Sequence, residues 1–240
     1  MDTGPPGGAD EAEDAIRRSG ADPAALRRIV LTHCHPDHTG SAAELADRHG
    51  AEVVAHRADT PVIRGHVPAP PPDMAGAPEW ERAVFDEVHA PLGITSAAPA
   101  VPPTPPCRVD REVAEGDVLE LGGGARVLSV PGHTEGSIAL LLPAHRTLFT
   151  GDAVAGVPEG PVPGVFNQDR ARTVTSFLRL CALGRRRWRP SASDTANHWP
   201  SPPVRRSRGP LHPTASLYAR TAHEGAQPRA VPASRSGGPS

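Results

Sequence analysis

Apolar and polar positions along the first sixty residues alternate between a helical and an extended period. Asp10–Ser19 reads as a helix: Asp10 is placed to cap it, Glu13 sits three residues on as in a capping box, and Gly20 stops it. Asp22 and Pro23 open a second helix that runs through Leu26. The chain then turns β-branched and apolar, so "RIVLTH" (Arg28–His33) predicts a short buried strand. Ser41 and Glu44 repeat the capping spacing at the head of "SAAELADRHG", which Gly50 ends, and "AEVVAH" (Ala51–His56) is strand again. This rhythm predicts an α/β architecture.

Residues 65–106 break the rhythm. "HVPAPPPDMAGAP" and "AAPAVPPTPP" flank one possible helix around Glu79–His89. Proline joins neither a ladder nor a helix interior, so the stretch reads as an insertion or lid. Order returns with strands at Val127–Val130, Ile138–Leu142 and Thr147–Thr150, broken by Gly and Pro turns. "DRARTVTSFLRLCAL" (Asp169–Leu183) predicts an amphipathic helix with Val174, Phe177, Leu178 and Cys181 on its apolar face. After Leu183 periodicity fails, and a stretch rich in Pro, Ser and Arg predicts a disordered tail over 184–240.

Composition sharpens this picture in three ways. The 240 residues contain only 3% aromatics, so a core must be built from Ala, Val, Leu and Ile. Residues 1–181 carry 25 acidic and 15 Arg side chains, whereas 182–240 carry 2 and 10, and no lysine occurs anywhere. The basic tail lacks the interleaved aromatics of a nucleic-acid platform. Three cysteines, Cys34, Cys107 and Cys181, make no disulfide framework and suit a reducing cytoplasm. No apolar run approaches the ~18 residues of a membrane span, and no signal peptide is visible.

The chemistry concentrates in "HCHPDH". His33 and His35 alternate with Cys34 at a strand end, so period two sends both imidazoles to one side and the thiol to the other. Pro36 turns the chain, and Asp37 and His38 follow at the start of a helix. Histidine and aspartate suit zinc and similar divalent ions, and four ligands in one turn fit two ions better than one. His133, in the glycine-flanked turn "PGHTEGS", and Asp152, just past a strand in "LFTGDAV", are further ligand candidates at strand ends. Thr134 and Ser137 are placed to fix the His133 turn. His56 reads as a satisfied structural histidine, and His66 and His89 belong to the insertion.

The ordered set T-H-x-H-x-D-H-T-G-S, P-G-H-T-x-G-S and T-G-D, spread over residues 1–183, resembles the metallo-β-lactamase fold superfamily of metal-dependent hydrolases. The resemblance implies an αββα sandwich with the site at one edge of two packed sheets. It implies that His33, His35 and His133 hold one metal ion, that Asp37 and His38 hold a second, and that Asp152 bridges both. Two Zn2+ ions are expected, with Mn2+ or Fe2+ as alternatives, and a metal-bound hydroxide would attack a small-molecule ester, lactone or thioester, with Asp37 orienting it and moving the proton. Against the family pattern, "MDTGPPGG" looks like the tail of an early strand whose predecessors are absent, and no Gly-His-Gly-like turn follows Leu183. The sandwich is therefore expected to be incomplete; His198 is the best-placed late histidine, ahead of His212 and His223. An inactive remnant with partial or no metal binding is the alternative. The oligomeric state stays open.

Overall fold

The computed structural model describes residues 1–157 and 160–187, with side chains described to Leu183. The chain forms α1 (Ala9–Arg18), β1 (Arg28–Val30), α2 (Pro36–Thr39), α3 (Ala42–His49), β2 (Glu52–His56), α4 (Thr60–Ile63), α5 (Glu79–His89), β3 (Arg111–Val113), β4 (Val118–Leu119), β5 (Ala125–Ser129), β6 (Ile138–Leu142), β7 (Thr147–Phe149), β8 (Val154–Val157), β9 (Gly160–Pro163) and α6 (Arg170–Arg187). A first sheet runs β1-β2-β3 with every neighbour parallel; a second runs β4-β5-β6-β7 with every neighbour antiparallel. β8 and β9 pair apart from both.

Period-two alternation builds four layers from these strands. Val30, Val54 and Val113 of the first sheet meet Leu119, Ala125, Val127, Ile138 and Leu140 of the second in one seam. Their chain neighbours point the other way. Ile29, Leu31, Val53 and Ala55 face Ala42, Leu45 and Ala46 of α3 and Ala9 of α1. Leu128, Val130 and Ala139 face Leu180 of α6. Helix, sheet, sheet, helix is thus the αββα order expected, and each Val, Leu and Ile side chain of the seam contributes about 1.5–3 kcal/mol by leaving water. Among the described residues no helix is long and apolar enough to cross a membrane.

Several local expectations are corrected. Gly8, not Asp10, is the N-cap of α1. Glu13 is buried between α1 and α3, where it meets Arg48 at 3.0 Å and His49 at 3.1 Å. Ser41 does not cap α3: its Oγ accepts from Gly8 N (2.9 Å) and donates to Pro5 O (2.6 Å), tying down the N-terminal segment. Asp22 does accept from Ala24 N, but caps only a single 3-10 turn at Pro23–Ala25. β1 stops at Val30 because Thr32 turns its N–H to the carboxylate of Asp2. α6 is rotated from the expected face: Val174 and Leu178 are 40% and 60% exposed, while Thr173, Ser176 and Leu180 are buried. Those small polar residues let α6 lie against the turn at 131–132, where Ser176 Oγ donates to Pro131 O (2.8 Å).

Within the proline-rich insertion, α5 forms where expected, and Met74, Ala77 and Phe85 make a small core with Ile94 and Phe166. α6 continues to Arg187, past Leu183. The expected tail and His198, His212 and His223 lie outside the described residues.

Candidate metal centre

Three loops at one edge of the sandwich bring the candidate ligands together: the segment leaving β1, the turn between β5 and β6, and the turn after β7. The imidazoles of His33, His35 and His133 stand mutually edge-to-face, with ring centroids 4.6–4.8 Å apart. Their ligand atoms form one compact donor group; His33, His38 and Asp152 form another, each group spanning no more than 4.8 Å. Asp152 reaches both, with Oδ1 at 3.3 Å from His38 Nε2 and Oδ2 at 3.7 Å from His133 Nε2. Asp37 stands at the rim, 69% exposed, its Oδ2 3.4 Å from His38 Nε2, and it is in neither group. So five of the six predicted side chains converge directly, and the sixth borders them.

Hydrogen bonds set the imidazoles' orientation. Thr32 Oγ1 donates to Asp2 Oδ2 (2.9 Å), so it accepts from His33 Nδ1 (3.0 Å), and the His33 Nε2 lone pair is left facing the cluster. Val165 O accepts from His133 Nδ1 (3.0 Å), so the His133 lone pair sits on Nε2, which accepts from His35 Nδ1 at 2.9 Å. Buried Nε2 atoms of His33 and His35 have no hydrogen-bond partner among the described residues. A buried polar atom without a partner costs about 1–3 kcal/mol, so this pair calls for an occupant. Three close-set neutral imidazoles are a donor set that fits a divalent cation.

The electrostatics divide the site in two. Burial, then the neighbouring His133, lower the His35 pKa to about 3, and burial likewise holds His33 and His133 below their ordinary value. Burial opposes charge on His38 as well, but hydrogen bonds with Asp152, Asp2 and Asp37 outweigh it and raise its pKa to about 12. One half of the site thus refuses protons while the other concentrates negative charge around a cation. The Asp37 and Asp152 carboxyls lie below the usual range because bonding to His38 outweighs their own burial.

Two supporting aspartates escaped the sequence reading. Asp59, 3% exposed, accepts from Cys34 N (2.9 Å), Thr134 Oγ1 (2.7 Å) and Gly136 N (2.8 Å), so one carboxylate joins the HCHPDH segment to the His133 turn. Burial pushes its pKa up. A Cβ on Gly136 would lie 2.5 Å from Asp59 Cγ, which explains the second glycine of P-G-H-T-E-G. Asp59 precedes α4 at a cap position, so its sequence context reads as an ordinary helix start. Asp2, within the "MDTGPPGG" stretch, is 3.2 Å from His38 Nδ1, and Thr3 N donates to His38 O at 2.7 Å.

Other candidates fall away from the centre. The Cys34 thiol is buried among apolar residues of the α1–α3 layer, and burial pushes its pKa up. His56 is satisfied by Ala58 N and Ser129 Oγ. His89 stacks on Phe85. Thr134 and Ser137 do fix the turn: Thr134 N donates to Ser137 Oγ at 3.0 Å.

The sequence model described as "Metallo-beta-lactamase superfamily" matches residues 1–187. The chain belongs to this superfamily. Within it, the chain is 29% identical over 175 residues to the probable metallo-hydrolase YflN of Bacillus subtilis (strain 168), covering 66% of this chain and 61% of that protein. A hydroxyacylglutathione hydrolase of Bradyrhizobium sp. (strain BTAi1 / ATCC BAA-1182) is 28% identical over 176 residues, 73% of this chain and 51% of its own length. The Gallus gallus acyl-coenzyme A thioesterase MBLAC2 is 35% identical over 129 residues, 52% of this chain and 40% of its own length. The chain thus spans about half the length of these curated superfamily relatives.

Proposed function

We propose that the protein is a metal-dependent hydrolase of small thioesters or related esters. His33, His35 and His133 would hold one divalent ion, zinc by donor chemistry; Asp37 and His38 would serve a second, with Asp152 between them. The carrying observation is the compact three-histidine donor group, in which His33 Nε2 and His35 Nε2 are buried with no hydrogen-bond partner among the described residues and His133 Nε2 lies 2.9 Å from His35 Nδ1. When bound, such ions supply an activated water near neutral pH and polarise the scissile carbonyl. Asp37, exposed at the rim, is the group free to hold a water proton and pass it to the leaving group. Asp2 and Asp152 keep His38 oriented, and the Asp59 clamp keeps the two ligand turns in register. The substrate class rests on the names of two relatives, a hydroxyacylglutathione hydrolase and an acyl-coenzyme A thioesterase.

A one-ion reading has an observation of its own: the second donor group shares His33 with the first and omits Asp37. In that reading only the three-histidine group binds.

The test is thiol release from a panel of acylglutathiones, acyl-coenzyme A esters, simple esters and lactones by the zinc-loaded full chain. The expected outcome is thioester turnover abolished by chelation and lowered about 10²–10⁴-fold by Asp37→Ala. Turnover insensitive to both would overturn the proposal.

A further inference from the structure

The proline-rich insertion meets the candidate centre through one short segment, residues 164–169, between β9 and α6. We propose that Glu81, on helix α5 of the insertion, is a positioning residue that fixes the imidazole of His133 through this segment. The proposal rests on His133 being a metal ligand.

The inner side of the segment grips the histidine. Val165 O accepts from His133 Nδ1 at 3.0 Å, Gln168 N donates to His133 O at 3.2 Å, and Asp169 N donates to Gly132 O at 2.8 Å. The outer side is gripped by the insertion. Glu81 Oε1 accepts from Phe166 N at 2.8 Å, and its other oxygen pairs with Arg170. The Phe166 ring meets Phe85 edge-to-face at 5.2 Å. Asp73 N donates to Asn167 O (2.8 Å), and Gln168 Nε2 donates to Pro70 O (3.1 Å).

Two features single out Glu81 among these contacts. Its residue is 0% exposed, and both partners of its carboxylate belong to the segment or to the first residue of α6, so its burial serves that seam. Phe166 adopts φ 56°, a left-handed conformation that costs a bulky residue about 1–3 kcal/mol and persists only where the surroundings impose it. The Glu81 acceptor and the Phe85 ring impose it here, and that conformation presents the Val165 carbonyl to His133. The insertion is thereby a buttress of the centre rather than a lid over it.

The experiment titrates cobalt(II) into the chelator-stripped full chain, followed by visible absorption, for the wild type, Glu81→Gln and Glu81→Ala. Glutamine keeps a carbonyl oxygen for Phe166 N–H; alanine does not. Glu81→Ala is expected to weaken cobalt binding about 10–100-fold and to alter the absorption band, while Glu81→Gln restores most of both. No change in the alanine variant, or equal losses in both, overturns the proposal. Long-range 1H–15N spectra of the metal-free wild type and Glu81→Gln stand whether or not Glu81→Ala folds. Both must show His133 protonated on Nδ1, and an Nε2–H form in either overturns the positioning role. A wild type that binds no cobalt refutes the metal reading instead, and the spectra still decide the hydrogen bond to Val165.

Discussion

Removing the Asp59 carboxylate is the sharpest structural perturbation available short of touching a ligand. In Asp59→Ala, the N–H groups of Cys34 and Gly136 lose their acceptors inside the protein, while Thr134 Oγ1 retains Ser137 Oγ at 2.8 Å. Each orphaned buried donor costs about 1–3 kcal/mol, so the loss should be about 2–6 kcal/mol. That is a large fraction of the ~5–15 kcal/mol that holds a domain folded. Asp59→Asn should cost less, since its carbonyl can still accept from Cys34 N and Thr134 Oγ1 and only Gly136 N faces the amide; about 1–3 kcal/mol follows. Urea denaturation of the full chain, followed by circular dichroism, measures both. A change under ~0.5 kcal/mol for Asp59→Ala, the size of an ordinary surface substitution, would refute the clamp.

Further outcomes follow from the same geometry. Gly136→Ala drives a Cβ to 2.5 Å of Asp59 Cγ and 2.6 Å of its backbone nitrogen, so it should destabilise by about 1–3 kcal/mol in the same denaturation assay. In the metal-free protein, His35 is neutral down to about pH 3 whereas an unfolded histidine takes its proton near 6.5, so stability should fall as pH drops below about 6.5. His38 acts in the opposite sense: with a folded pKa of about 12, its stabilisation is complete below 6.5 and is lost as pH rises toward 12. Urea midpoints of chelated protein between pH 4 and 9 should therefore peak near 6.5, and a monotonic profile would contradict the charge pattern. Free zinc at 100 times its dissociation constant should add about 2.7 kcal/mol of stability, read as a rise in melting temperature that chelation reverses.

Much of the candidate site was legible because its ligands cluster in short motifs at strand ends. The alternation around β1, β2, β5 and β6 likewise announced two-faced strands, and Ile29/Val30 and Ala139/Leu140 do split between opposite layers. What escaped was long-range. Asp59 binds across 75 and 77 residues to Thr134 and Gly136, and Glu81 across 85 residues to Phe166. Local periodicity carries no trace of such pairs. The face of α6 was misjudged because polar contacts to the 131–132 turn outweighed the burial of Val174 and Leu178. Capping expectations failed where Glu13 and Ser41 found stronger partners in other elements.

The central claim is that the three close-set imidazoles of His33, His35 and His133 hold a divalent cation. Zinc titration of the stripped full chain, by calorimetry with and without His133→Ala, tests it most directly. Saturable binding that reaches two equivalents per chain, weakened by orders of magnitude in His133→Ala, is the predicted result. Absence of saturable binding, or binding indifferent to His133→Ala, would contradict it.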